Sequence, residues 1–495
     1  MKRNGGGKFN IALVLLIIFI VGVFALFVAA LITQYAVYGG KFPSIGAEIK
    51  YVFIAFIIAL PVLLVFLLIA AFSKKRDCSL VTPQYFGVDF EKEVQNKPKL
   101  KDMCGATVKP DVLQSFARVG ADLSEASQQL KESEENGSRF YMLTEIDKEY
   151  ETYERPEYDE EITLKELCEE FRNFSAGELK LYYDIEDIRR FIGAMAVTKL
   201  IILQGMSGTG KTSLAYAFGE FLDNKTVVVP IQPMWKERTD LVGYYNEFTK
   251  KFNETTLLYK MYEANNNEEI YITVLDEMNI ARVEYYFAEF LSLLEIPNPD
   301  GRNLDVVADR REDDPKLLQH NGKLRLPTNM WFVGTANNDD STFSISDKVY
   351  DRAMVLNLDK KAIPFEAKGK SKKISATHLE ELMQKAQREY GISDRNMRRI
   401  KKLDEYMIKT FHITFGNRIM KQIKSYVPVL AACGGTELEA MDDILARKVF
   451  RKLESKNPVY VKQMADGVCN YLDELFGENK LPLCKETIRL IELNV

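Results

Sequence analysis

An α/β fold is predicted for this chain: a parallel sheet with helices on both faces, an all-α C-terminal region, and a pair of long apolar segments ahead of both. Three observations carry this reading. Between residues 200 and 356 five short apolar runs alternate with helical patterns, the signature of strand–helix units that build a parallel sheet. After residue 373 the periodicity becomes wholly helical. Near the N-terminus, residues 11–33 and 51–72 form runs of 23 and 22 residues without a single charge, in a chain of 495 residues that as a whole is 28% charged with a net charge of −5. Those two runs exclude a simple soluble cytosolic protein.

As helices the runs would each extend about 33 Å, enough for a hydrocarbon core of roughly 30 Å. A cleaved signal peptide is the alternative for the first run, but its apolar part would be only about 7–15 residues long. Lys2, Arg3 and Lys8 precede the first run and Lys74, Lys75 and Arg76 follow the second, whereas the loop between them holds only Lys41, Glu48 and Lys50. This bias places both termini in the cytosol and makes residues 1–73 a transmembrane helical hairpin. No ionisable residue interrupts either span, so the hairpin reads as an anchor in the lipid bilayer and not as a transport path. The expected location is therefore an integral membrane protein of a bacterial inner membrane or its equivalent, with the rest of the chain cytosolic. Six scattered cysteines without a CxxC pair, and three histidines, point to reduced structural thiols.

Residues 74–161 read as a polar cytosolic linker. Within it Val112, Phe116, Val119, Leu123, Ala126 and Leu130 alternate at spacings of 4 and 3, which suits either a short coiled coil or a plain amphipathic helix. Residues 131–172 hold 15 acidic and 6 basic side chains, a pattern typical of solvated linkers and helix faces. Residues 162–365 form the α/β domain, with strands expected at 200–203, 226–229, 271–275, 331–333 and 354–356. Residues 366–495 form a helical lid and C-terminal helices, four or five in number, the first opened by a capping box of Thr377 with Glu380.

The first strand runs into Gly205, Met206, Ser207, Gly208, Thr209, Gly210, Lys211 and Thr212, and a helix follows from Ser213. This is the P-loop pattern in the context it requires. Its glycines let successive backbone N–H groups converge on phosphate oxygens, and the helix presents its positive end to the same anion. Lys211 is expected to bridge β- and γ-phosphates, with the Thr212 hydroxyl on Mg²⁺. The third strand ends in Asp276 and Glu277. A carboxylate pair at that sheet edge would serve as Mg²⁺ partner (Asp276) and as general base for an attacking water (Glu277).

Together with these motifs, Gly334-Thr335-Ala336-Asn337 after the fourth strand and Lys348-Val349-Tyr350-Asp351-Arg352 before the fifth make the chain resemble an AAA+ ATPase. Residues 232–245 and the run LDEMNIARVEY at 275–285 are similar to the dynein-related and McrB-like branch. The resemblance implies that Asn337 is sensor 1 and that Arg352 is an arginine finger reaching a neighbouring subunit. It also implies that Arg418, in Phe415-Gly416-Asn417-Arg418, is a sensor 2 that contacts nucleotide from the lid. Arg282 faces either a neighbour or solvent. In the restriction GTPases an Asn-Thr-Ala-Asp-Arg-Ser type segment follows sensor 1. Here Asn337-Asn338-Asp339-Asp340-Ser341-Thr342 stands in its place, so ATP is expected over GTP. The charged insertion between Pro297 and Pro327 is expected to be either a solvated hairpin or a pore-lining one.

A finger acting between subunits implies a homo-oligomeric ring, with a hexamer expected. The overall expectation is a membrane-anchored ATPase that remodels an unknown protein client at the cytosolic membrane face. The alternatives are a McrB-like motor of a defence system working with a separate effector, and an ATP-dependent switch or scaffold. The acidic balance gives no indication of nucleic-acid binding.

Overall fold

The computed structural model describes residues 138–337, 342–359 and 362–493. The two apolar runs and the 112–130 repeat lie outside the described residues. Among those that are described, no helix is long and apolar enough to cross a membrane.

Five strands make one wholly parallel sheet: β1 (Leu200–Gly205), β2 (Val227–Pro230), β5 (Tyr271–Asp276), β8 (Met330–Asn337) and β9 (Met354–Asn357), in the order β2-β5-β8-β1-β9. Each strand contains or overlaps the segment expected from its apolar run. The period-2 geometry of a strand sends neighbouring side chains to opposite faces, and both faces here are covered. Ile201 and Leu203 enter one core while Leu200 and Ile202 enter the other. A strand buried on both sides must be apolar at every position, and this makes β1 a continuous run instead of an alternating one.

The first core holds α2 (Leu164–Gly177), α3 (Ile185–Met195) and α4 (Lys211–Phe221) together with the C-terminal helices. The second holds α1 (Met142–Glu149), α6 (Thr256–Ala264), α7 (Val283–Tyr286) and α8 (Ala288–Leu293). A short helix, α5 (Arg238–Val242), leads into the hairpin β3–β4 (Gly243–Asn246 with Lys251–Glu254). A second hairpin, β6–β7 (Asn303–Asp305 with Lys323–Arg325), lies before β8.

Three expectations need correction. Residues 138–150 are not linker: Phe140, Leu143 and Ile146 are fully buried in the second core. Phe140 stacks on Phe252 at 4.9 Å, and the Glu254 carboxylate accepts the N–H groups of Tyr141, Met142 and Leu143 at 2.7–2.9 Å. A buried carboxylate that caps a helix N-terminus satisfies donors that would otherwise be orphaned. Three buried apolar residues among many charges were too few to stand out against the acidic composition.

The loop of the β6–β7 hairpin is solvated at Asp309, Arg311, Glu312 and Asp313 but anchored at one point. Asp314 is buried and takes a two-point bond from Arg139, at 2.8 and 2.5 Å, and the same guanidinium donates to the Asp309 carbonyl at 2.5 Å. The charged loop is thus pinned to the segment that enters the domain.

After the short helix α9 (Asp347–Tyr350), the C-terminal region has six helices among the described residues: α10 (Ala376–Glu389), α11 (Asp394–Phe411), α12 (Gly416–Ala432), α13 (Glu437–Lys448), α14 (Pro458–Phe476) and α15 (Pro482–Leu493). Its first cap is Ser375, which accepts from the His378 N–H, and not Thr377. Glu380 instead pairs with Lys199 at 3.2 Å.

Polar bolts fix this region to the sheet domain. Asp443 accepts from Tyr426 at 2.6 Å and Arg447 at 2.8 Å, and pairs with Arg190 of α3 at 3.2 Å. The Lys448 ammonium donates to the Tyr350 carbonyl at 2.8 Å and to that of Ala353. Arg451 lies 3.7 Å from the centre of the Tyr350 ring. Burial pushes the Lys448 ammonium down to about 7. Its folded pKa then lies below the unfolded one, so unfolding takes up a proton between pH about 7 and the ordinary lysine value. Stability from this group should rise across that window as pH rises. Urea unfolding at pH 7 and pH 9 is expected to show a larger gain for the wild type than for Lys448→Gln.

Replacing Arg139 by Ala should cost about 3–5 kcal/mol, because Asp314 is left buried and unpaired. The double change Arg139→Met with Asp314→Leu should recover most of that loss in the same unfolding measurement.

Candidate functional site

β1 and β5 end at the same edge of the sheet with β8 between them, and this order assembles the site. At the end of β1 the chain turns sharply at Gly205, which has φ 147°. A Cβ there would lie 2.6 Å from the Leu358 carbonyl oxygen, so only glycine lets the loop leave the sheet. Met206, Ser207 and Gly208 are exposed, and Gly208 and Gly210 have φ of 79° and 91°. Thr209 donates to the Met206 carbonyl at 3.0 Å, and Ser213 stands in the first turn of α4. Gly210 is the N-cap of α4, and the Tyr183 hydroxyl rests on its carbonyl at 3.4 Å. Lys211 is buried, and its ammonium donates to the carbonyls of Gly205 (2.9 Å) and Met206 (2.8 Å).

The carboxylate edge is bonded to this loop directly. Asp276 Oδ1 accepts from the Thr212 hydroxyl and from the Thr335 hydroxyl, each at 2.8 Å. Thr335 in turn accepts from the Glu277 N–H at 2.9 Å. Glu277 itself has φ 52° and is exposed. The left-handed turn at this residue separates its carboxylate from that of Asp276, and such a conformation in a non-glycine residue persists only where neighbours hold it.

Asn337 lies opposite Gly205 in the β8–β1 register, so the residue expected to be sensor 1 abuts the P-loop. Asn279 holds it there: its side-chain amide donates to the carbonyls of Asn337 (2.9 Å) and Phe343 (3.3 Å). A Cβ on Gly334 would lie 2.0 Å from the Met278 sulfur, so the small residue in β8 lets the turn after Glu277 seat against the sheet. Thr335, Asn279 and Gly334 stand inside motifs the sequence displays, but their work is done by spatial neighbours about 58 residues away in the chain. Spacing alone could not reveal it.

The two arginines are not brought to this edge. Arg352 donates to Glu295 Oε2 at 2.5 Å and to the Lys348 carbonyl at 2.7 Å. Its own carbonyl accepts from Thr198, two residues before β1, at 2.8 Å. Arg418 donates to Glu295 Oε1. β1 has six residues, so its opposite ends stand about 20 Å apart. The expected approach of Arg418 to its own chain's P-loop is therefore not what the structure places: it sits with Arg352 at the far edge. Arg282 is exposed beside Tyr285 and Phe343.

The near edge is suited to a polyphosphate. The open loop 206–208, the amino end of an 11-residue helix and the Lys211 charge all favour an anion. Thr212 with Asp276 offers hard oxygen donors of the kind that hold Mg²⁺ jointly with phosphates. Among the described residues no three His, Cys, Asp or Glu side chains converge as a metal-only site.

A parallel sheet with this strand order, a P-loop after β1, an acidic pair after β5 and an asparagine at the end of the strand between them define a P-loop AAA fold. Residues 200–353 match the family model of the AAA domain of the dynein-related subfamily. Among solved structures, the chain is similar to a "putative ATPase" from Cytophaga hutchinsonii ATCC 33406, at 14% identity. That likeness covers 67% of this chain and 98% of the other, with a TM-score of 0.42. It is also similar to a full-length MCM homolog from Methanopyrus kandleri, at 12% identity over 59% of this chain and 61% of that one, with a TM-score of 0.32. No curated protein matches the sequence.

Replacing Thr335 by Val removes a donor to Asp276 and leaves the Glu277 N–H without its acceptor. A loss of about 1–3 kcal/mol in unfolding free energy is expected. Thr335→Ser should retain most of it, because the hydroxyl is kept.

Proposed function

We propose that this protein is an AAA+ ATPase that binds ATP with Mg²⁺ and hydrolyses it in a homo-oligomeric ring. The observation that carries the reading is the convergence of Thr212 and Thr335 on one oxygen of Asp276, beside the Lys211 loop and the exposed Glu277. Lys211 and the 205–212 backbone bind the triphosphate, and Thr212 with Asp276 holds Mg²⁺. Glu277 accepts a proton from the attacking water, and Asn337 orients that water. The cation's contribution is to offset charge on the phosphate oxygens. Arg352 stands at the opposite sheet edge, remote from its own P-loop, and this placement supports its action on a neighbouring copy and therefore a ring.

The uncharged runs at 11–33 and 51–72 support an anchor in a lipid bilayer, with the ATPase on the cytosolic side. Work done there would remodel a protein client. ATP is preferred over GTP on the segment after Asn337.

Lys211→Ala is expected to lose ATP binding in equilibrium titration. Glu277→Gln should bind ATP at near wild-type affinity and hydrolyse it at least about 100-fold more slowly. Mixed with wild type, Arg352→Ala subunits should depress turnover more steeply than their fraction. If Lys211→Ala binds and hydrolyses like wild type, the site assignment is wrong. If Glu277→Gln restores full function in cells, the protein is a switch and not a motor.

A further inference from the structure

The cluster at the far sheet edge is built around a single carboxylate. Glu295, just after α8, gives one oxygen to Arg352 and the other to Arg418. Two guanidinium groups on one carboxylate leave the cluster with an excess positive charge, and Lys421, one helical turn beyond Arg418 on α12, adds to it. Lys421 and Glu295 line the same cavity of about 360 Å³, which also receives Arg302 and the ion pair of Lys199 with Glu380. The Arg352 Nε–H is buried with no acceptor, so one donor of a largely covered guanidinium is unused while its Nη atoms are engaged. A planar guanidinium with an unspent donor, next to a half-exposed Arg418, is matched to an anion with more oxygens than one carboxylate can supply.

The three residues come from three separate parts of the chain. Arg352 lies between the Tyr350 and Ala353 carbonyls that Lys448 holds. Arg418 opens α12, and Glu295 ends the segment after α8. One anchor thus comes from each of the two chain segments that flank β8 and one from the C-terminal helices.

We propose that Glu295 is a positioning residue. It holds Arg352 and Arg418 as a pair away from their own chain's P-loop and yields both to the triphosphate on an adjoining copy. The inference rests on the ring reading above. Arg418 then acts on the neighbour's nucleotide and not on its own, and Glu295 competes with that nucleotide for both arginines. Removing the competitor makes engagement easier, and removing one arginine leaves Glu295 less to withhold from the nucleotide.

The test uses the full-length protein in detergent, carrying Glu277→Gln to suppress hydrolysis. Light scattering then follows assembly as Mg-ATP is added. Adding Glu295→Gln is expected to lower the ATP concentration at half-assembly about 3- to 10-fold, and adding Arg418→Ala to raise it by a similar factor. In the Arg352→Ala background the Glu295→Gln effect should shrink to below about 2-fold. Melting curves without nucleotide check that each variant folds, and Glu295→Asp, which keeps the charge, should stay within about 2-fold of the parent. An unchanged or raised half-assembly concentration for a folded Glu295→Gln protein overturns the proposal and leaves the ATPase reading intact. If the parent shows no ATP-dependent assembly, or Lys211→Ala assembles as well as the parent, the ring reading fails and this proposal with it.

Discussion

One oxygen of Asp276 organises the P-loop edge of the sheet. It accepts hydroxyl hydrogen bonds from Thr212 at the start of α4 and from Thr335 in β8, while Thr335 accepts the Glu277 N–H. The P-loop helix, the acidic strand end and β8 are therefore joined through three side chains. Charge-assisted bonds of this kind are among the stronger ones in proteins. Here they act where three separate strand ends must keep a common geometry. The exposed Glu277 carboxylate and Asn337 depend on that junction for their placement.

The opposite edge of the same sheet lies about 20 Å away. Because the connection from β8 to β9 returns to the start of the sheet, Arg352 must lie at the opposite end from the P-loop. The C-terminal helices bring Arg418 to the same place. Lys448 and Arg451 tie those helices to the short helix Asp347–Tyr350, and the Tyr350 hydroxyl accepts from Gln204, the residue before the P-loop turn, at 2.5 Å. A change at the P-loop thus has a short bonded route to the segment that carries Arg352. The Arg139–Asp314 pair does similar work elsewhere by joining the entering chain to the β6–β7 loop.

Much of the fold was legible in advance. Five apolar runs announced five strands because a doubly covered parallel sheet needs apolar residues throughout. The octet at 205–212 announced its loop because glycines and lysine at that spacing have few other uses. The six-helix count and the Ser375 cap were harder to read, since Ser375 and Thr377 are both acceptable caps and only the docking against Lys199 assigns Glu380 elsewhere. The folding of residues 138–150 into the core was hidden, because their acidic composition resembles a solvated face while a few apolar side chains decide the burial.

By itself the sequence determined the class of fold, the phosphate loop, the acidic pair and the presence of two uncharged segments of spanning length. Each of these depends on local composition or on spacing of a few residues. Only the tertiary structure decided which strands are neighbours, that Thr335 and Asn279 complete the site, and that Arg352 and Arg418 share Glu295. These contacts join residues 57 to 123 positions apart, and no local periodicity encodes them. They follow from strand order and from the packing of the C-terminal helices, which are properties of the whole core.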